Sequence, residues 1–107
     1  MAIQSVGNSA PPPHDLQTPE DARCLCYLLA ESVAARLRQE GLRARCVSLS
    51  VRSAELVTRS CQQTLPRATN LTGEIAQAAV RLFDGRFAGG FPYRSAGLSC
   101  SALTPDD

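Results

Sequence analysis

The 107 residues predict an α+β fold in which two helices cover one face of a four-stranded sheet and leave the other face open. Three observations carry that expectation. Two stretches, one after Thr18 and one after Leu71, repeat apolar residues at helical spacing, each with a single apolar stripe. Val47, Leu49 and Val51 alternate strictly with Cys46, Ser48, Ser50 and Arg52. Ala96, Leu98, Cys100 and Ala102 alternate in the same way with Ser95, Gly97, Ser99 and Ser101. Period-two alternation marks a strand with one face in a core and one in water. In chain order the elements read β-α-β-β-α-β, and the length allows one domain over residues 1–107.

Residues 2–9 form a short extended segment containing Gly7, where another backbone can approach closely. Residues 10–15 hold three consecutive prolines, Pro11 to Pro13, so they form an irregular connector. Thr18-Pro19-Glu20-Asp21 starts a helix: a capping hydroxyl, proline at the first helical position, and acids in the positive first turn. Its stripe is Ala22, Leu25, Cys26, Leu29, Val33 and Leu37, and Gly41 ends it after Glu40. A hairpin follows, with strands over Arg45 to Arg52 and Leu56 to Gln63, joined at Arg52-Ser53-Ala54-Glu55. Pro66 to Asn70 reads as a loop. The second helix begins at Leu71 or Thr72, ends by Asp84-Gly85, and faces inward with Ile75, Ala78, Ala79, Leu82 and Phe83. Arg86 to Pro92 is a glycine-containing loop, Tyr93 to Leu103 the last strand, and Thr104 to Asp107 a fraying tail.

The open face would carry Ser48, Ser50, Arg52, Ser95, Gly97, Ser99 and Ser101, where solvated sheets commonly carry long Glu and Lys side chains. Small hydroxyls in that position suit contact with another polymer. The net charge of +1 is low for a dedicated nucleic-acid binder, but all 11 basic residues are arginine. Arginine suits bidentate phosphate contacts, although genome base composition produces the same bias. The five cysteines form an odd set with no signal peptide ahead of them and no apolar run of ~20 residues. A cytoplasmic chain with reduced thiols, and no membrane partner, is therefore expected.

No catalytic constellation is legible. A nucleophile needs a base positioned beside it, and the single histidine, His14, lies in the proline-rich connector and reads as a solvated loop residue. Cys24 and Cys26 are two residues apart on a helix and point to opposite sides, so they cannot share a metal. Cys26, Cys46 and Cys100 are read instead as buried thiols. Gly89-Gly90 fits no phosphate-loop pattern. The fragment is expected to be neither an enzyme nor a holder of metal or cofactor.

Four stretches in order then carry a family resemblance. Ser5-Val6-Gly7-Asn8-Ser9 opens it, and Leu29 to Arg38 followed by Gly41-Leu42 continues it. Thr64-Leu65-Pro66 with Thr69-Asn70-Leu71-Thr72-Gly73-Glu74-Ile75 is similar to a "TLPxPTxxTxEI" passage, and Pro92 to Leu98 completes the set. Together they resemble the C-terminal little finger domain of Y-family translesion DNA polymerases, the impB/mucB/samB C-terminal family, from Ile3 to Leu103. The resemblance implies a domain excised from a larger polymerase, with its open sheet in the DNA major groove, gripping backbone phosphates of primer-template DNA during lesion bypass. It implies DNA contacts at Ser5, Gly7, Asn8 and Ser9 of the first strand and at Thr58, Arg59, Ser60 and Gln62 of the third. Arg94 falls on a family arginine, and Cys61 stands where the family has one. The implied partners are double-stranded DNA, the parent's palm, fingers and thumb, and the sliding clamp, with magnesium confined to the palm. Fold alone does not fix function, and a small-ligand or protein-interaction module unrelated to DNA is the alternative. An RNA-recognition role is disfavoured by the lack of base-stacking aromatics on the sheet.

Overall fold

The computed structural model describes residues 3–9, 18–89 and 92–106. The proline-rich connector with His14, and part of the expected Arg86 to Pro92 loop, lie outside these residues. The element order is β1 (Ser5–Ser9), α1 (Pro19–Gln39), β2 (Leu42–Ser53), β3 (Thr58–Thr69), α2 (Thr72–Arg86) and β4 (Tyr93–Pro105). The strands form one antiparallel sheet in the order β1-β4-β2-β3. Helix α1 lies over β1, β4 and β2, and α2 lies beside it over β2 and β3. Both helices sit on one face.

Local chemistry sets the bounds of α1. The Thr18 hydroxyl accepts from the Asp21 amide and the Asp21 carboxylate accepts from the Thr18 amide, a reciprocal capping box. Pro19 costs nothing at the first turn, and Gly41 takes the left-handed conformation, φ +68°, after the last. Its inner face buries Ala22, Cys26, Leu29, Val33 and Leu37, with Ala30 and Ala34 added to the expected stripe and Leu25 half-buried. From α2, Ile75, Ala76, Ala78, Ala79 and Phe83 belong to the same core as Val47, Leu49, Val51, Leu98 and Cys100 of the sheet. Tyr93 stacks edge-on to Phe83 and Phe87, and its hydroxyl donates to the Phe87 carbonyl at 2.6 Å.

The strands run longer than alternation indicates. β2 starts at Leu42, β3 reaches Thr69, and β4 runs to Pro105. The cause is one irregular level across the sheet. Between the pairs Ala44↔Leu103 and Cys46↔Ser101, Arg45 faces Ala102, whose φ is +55°. On the other side, pairing jumps from Cys46↔Thr64 to Ala44↔Thr69, so residues 65–68 of β3 form a bulge, with Leu65 kept in the core. The Arg45 guanidinium donates to the Leu65 carbonyl in that bulge at 2.9 Å. Beyond this level the inward phase shifts by one residue: Leu42, Ala44 and Leu103 pack on the core, and Ala102 is exposed. Pro66 is tolerated because β3 is an edge strand.

Three further expectations need correction. Leu56 and Val57 do not begin β3 but form the hairpin turn, with Leu56 at φ +66° and both side chains exposed. Residues 104–106 do not fray: Thr104 and Pro105 pair with Arg43 and Leu42, and Asp106 accepts from Arg43 and Asn70. Cys46 is only partly buried and lies on the open face, whereas Cys26 and Cys100 are buried.

Candidate nucleic-acid interface

The face away from the helices is a lattice of small side chains. The register sets Gly7, Ser99, Ser48 and Gln62 side by side in one row. The next row toward the hairpin turn is Ser9, Gly97, Ser50 and Ser60, followed by Ser95, Arg52 and Thr58. The row on the other side is Ser5, Ser101, Cys46 and Thr64. Thr64 lies one residue beyond the end expected for its strand. The only charged side chain in these four rows is Arg52.

Of the eight residues expected to touch DNA, six share this face: Ser5, Gly7, Ser9, Thr58, Ser60 and Gln62. Asn8 and Arg59 do not. Asn8 pairs with Leu98 and Arg59 with Val51, both core residues, and antiparallel partners project to the same side. The Asn8 amide donates to the Ser32 hydroxyl of α1 at 2.8 Å, which fixes its direction. Its Oδ1 accepts from the Ser9 amide at 2.8 Å, so that N–H is already occupied. Arg59 is exposed on the helix side of the edge strand, with Cys61 and Gln63. Arg94 is the extra residue between the pairs Arg52↔Ser95 and Ser53↔Tyr93, so alternation does not apply to it, and it is exposed.

Two glycines keep the lattice low. A Cβ on Gly97 would sit 3.0 Å from Ser50 Oγ, and one on Gly7 would sit 3.1 Å from Ser99 Cβ and 3.2 Å from the Leu98 carbonyl. Around them lies a shallow open groove of about 450 Å³ lined by Gly7, Ser9, Ser48, Ser50, Gly97 and Ser99. A surface this flat and hydroxyl-rich can approach a polymer backbone closely and donate to it from many points. It offers no enclosed volume for a small molecule, and no three-residue metal cluster occurs among the described residues.

Residues 3–107 match the impB/mucB/samB family C-terminal domain. The chain belongs to that family, the little finger domain of Y-family DNA polymerases. DNA polymerase IV of Acetivibrio thermocellus is 45% identical over 83 residues, which cover 78% of this chain and 21% of that protein. DNA polymerase IV of Moorella thermoacetica is 30% identical over 103 residues, covering 96% and 26%. The little finger chain thus spans about a quarter of the length of these relatives. Solved structures share the fold. A Y-family DNA polymerase chimera superposes with a TM-score of 0.83 at 8% identity, over 98% of this chain and 30% of that one. The little finger domain of PolIV, in a complex with the β-clamp processivity factor, superposes with a TM-score of 0.72 at 16% identity, over 94% and 90%.

Proposed function

We propose that this little finger domain holds double-stranded primer-template DNA against its open sheet face, gripping backbone phosphates without reading sequence. Nucleotidyl transfer then belongs to the rest of a parent translesion polymerase, whose palm holds the magnesium. The sliding clamp is a further partner by analogy with the solved PolIV domain. The observation that carries the proposal is the lattice itself: serine, threonine and glycine fill most of four cross-strand rows. Phosphate contacts position a protein on DNA, whereas sequence is read by longer side chains at base edges. Within the four rows only Arg52 and Gln62 have that reach, which favours positioning over reading. No aromatic residue lies in the rows, so base stacking contributes nothing.

The cysteines supply a built-in footprint. Cys46 lies in the lattice, half-exposed, and Cys24 lies exposed on α1 behind the sheet. Alkylation followed by mass spectrometry is expected to show duplex DNA slowing the modification of Cys46 several-fold while Cys24 reacts unchanged. Equal rates with and without saturating DNA at Cys46 would refute the proposal.

A further inference from the structure

The low net charge conceals an uneven distribution of acids, since arginines occur on every face. Among the described acids, Glu20, Asp21, Glu31 and Glu40 lie on or at the end of α1, and Asp84 of α2 is held by Arg23 of α1 at 3.0 Å. Asp106 is engaged by Arg43 at the far end of β4. The outer flank, where α2 packs beside edge strand β3, carries arginine instead. Arg67 and Arg81 line one depression there with Leu65 and Pro66. Arg59 is two residues from Cys61 on the helix side of β3, and Arg86 of α2 is close enough for its charge to act on the Cys61 thiol. All four arginines are exposed, and none has an acidic partner among the described residues. The one carboxylate within the flank, Glu74, lines the same depression as Arg67 and Arg81 and accepts a hydrogen bond from Thr69, and Glu55 lies exposed in the hairpin turn ahead of Arg59.

We infer that the β3/α2 flank is a second phosphate-backbone surface, which takes the single-stranded template extending from a duplex seated on the open face. The inference rests on that seating of the duplex. The flank lies around the edge of β3, on the helix side of a molecule only 25 Å wide and 19 Å thick in its shorter dimensions. Duplex DNA, with a persistence length of about 50 nm, cannot turn such a corner, but a single strand can. A folded protein fits less well. Protein interfaces need an apolar centre depleted of charge, and the flank has none: of the exposed large apolar residues, Ile3, Tyr27 and Leu28 lie at β1 and on α1, Leu56 and Val57 lie in the hairpin turn, and only Leu71 shares a depression with one of the four arginines, Arg67. The flank also lacks aromatics, so it binds backbone and not bases.

The test titrates the 107-residue chain with three labelled probes at two salt concentrations: a blunt duplex, the same duplex with a single-stranded 5′ template extension, and a duplex lengthened by as many base pairs. The extended-template probe is expected to bind more tightly than either duplex. The triple variant Arg67→Gln, Arg81→Gln, Arg86→Gln is expected to lose that advantage, and about 2 units of its log–log salt slope, while binding the blunt duplex as before. The inference is overturned if the extension confers no advantage, if the variant keeps it, or if the variant loses the blunt duplex equally. Polyglutamate displacing the extension as well as free single strand does would also overturn it, by assigning the flank to acidic protein. Failure of the open-face reading is visible separately, as blunt-duplex binding that Ser50→Glu leaves unchanged.

Discussion

Ala102 has no side chain that calls for a left-handed conformation, yet it holds φ +55° where the sheet changes phase. An L-residue there costs about 1 kcal/mol that glycine does not. Ala102→Gly is therefore expected to raise the urea midpoint, by the equivalent of roughly 0.5 kcal/mol once glycine's greater unfolded-state entropy is subtracted. The buried thiols act on a different variable. Burial pushes Cys100 up to about 12, with a smaller contribution from Cys46, and burial with the nearby Asp84 charge pushes Cys26 up to about 11. A raised folded-state value means that the native state keeps its protons longer than the unfolded chain. This stability is fully present below pH ~9 and is lost as pH rises toward the folded values, by on the order of 1.4 kcal/mol per pH unit for each thiol. Denaturation midpoints measured from pH 8 to 11 should fall accordingly, and Cys100→Ala should flatten the fall. At the acid end, hydrogen bonds from Asn70 and Arg43 hold the Asp106 carboxyl below its usual range. Its contribution is present at neutral pH and disappears on acidification.

Among the elements, α1 is the most legible, because its signals are local: capping box, proline, apolar stripe and terminal glycine all occur within its own sequence. Leu29 lies at the centre of its buried face, and Leu29→Ala is expected to cost ~2–5 kcal/mol, readable as a lower chemical-denaturation midpoint with an unchanged slope. The strands are legible only where alternation is unbroken, from Cys46 to Arg52 and from Ser95 to Ser101. Past those runs the phase shift at Arg45 and Ala102 depends on the neighbouring strand's bulge, and no residue type announces it. Pro66 reads as a terminator because it lacks a donor, but at an edge the missing donor faces no partner. Leu56 and Val57 read as strand because they are apolar. The turn is instead held by the Ser53 carbonyl accepting from Leu56 N at 3.0 Å and the Ser53 hydroxyl accepting from Val57 N at 3.2 Å.

At the scale of the molecule, the open face was readable as a composition but not as a geometry. Six expected contacts fell together because alternation held through them; Asn8 and Arg59 were assigned by motif position, and the register turns both toward the helices. The four rows of the lattice are left with one fixed positive charge, Arg52. Arg52→Ala is therefore expected to weaken duplex binding by a similar factor on all sequences, and to lower the log–log salt slope by about 0.9, the amount for one lost phosphate contact. The same substitution in a titration of mismatched or unrelated duplexes should give the same ratio.

The placement of β1 has a kinetic consequence. It is five residues long, lies at an edge, and pairs only with β4, joining Ser5 to Ser101 from opposite ends of the chain. Contacts so distant in sequence pay their loop-closure entropy late, after the β2–β3 hairpin and its local neighbours have formed. A short edge strand also belongs to the low-stability end of a native structure, where local opening is most frequent. Gly7 and Ser9 of this strand form one wall of the groove. The groove is thus completed by the strand expected to dock last, and a ligand held against it is expected to make its local opening rarer.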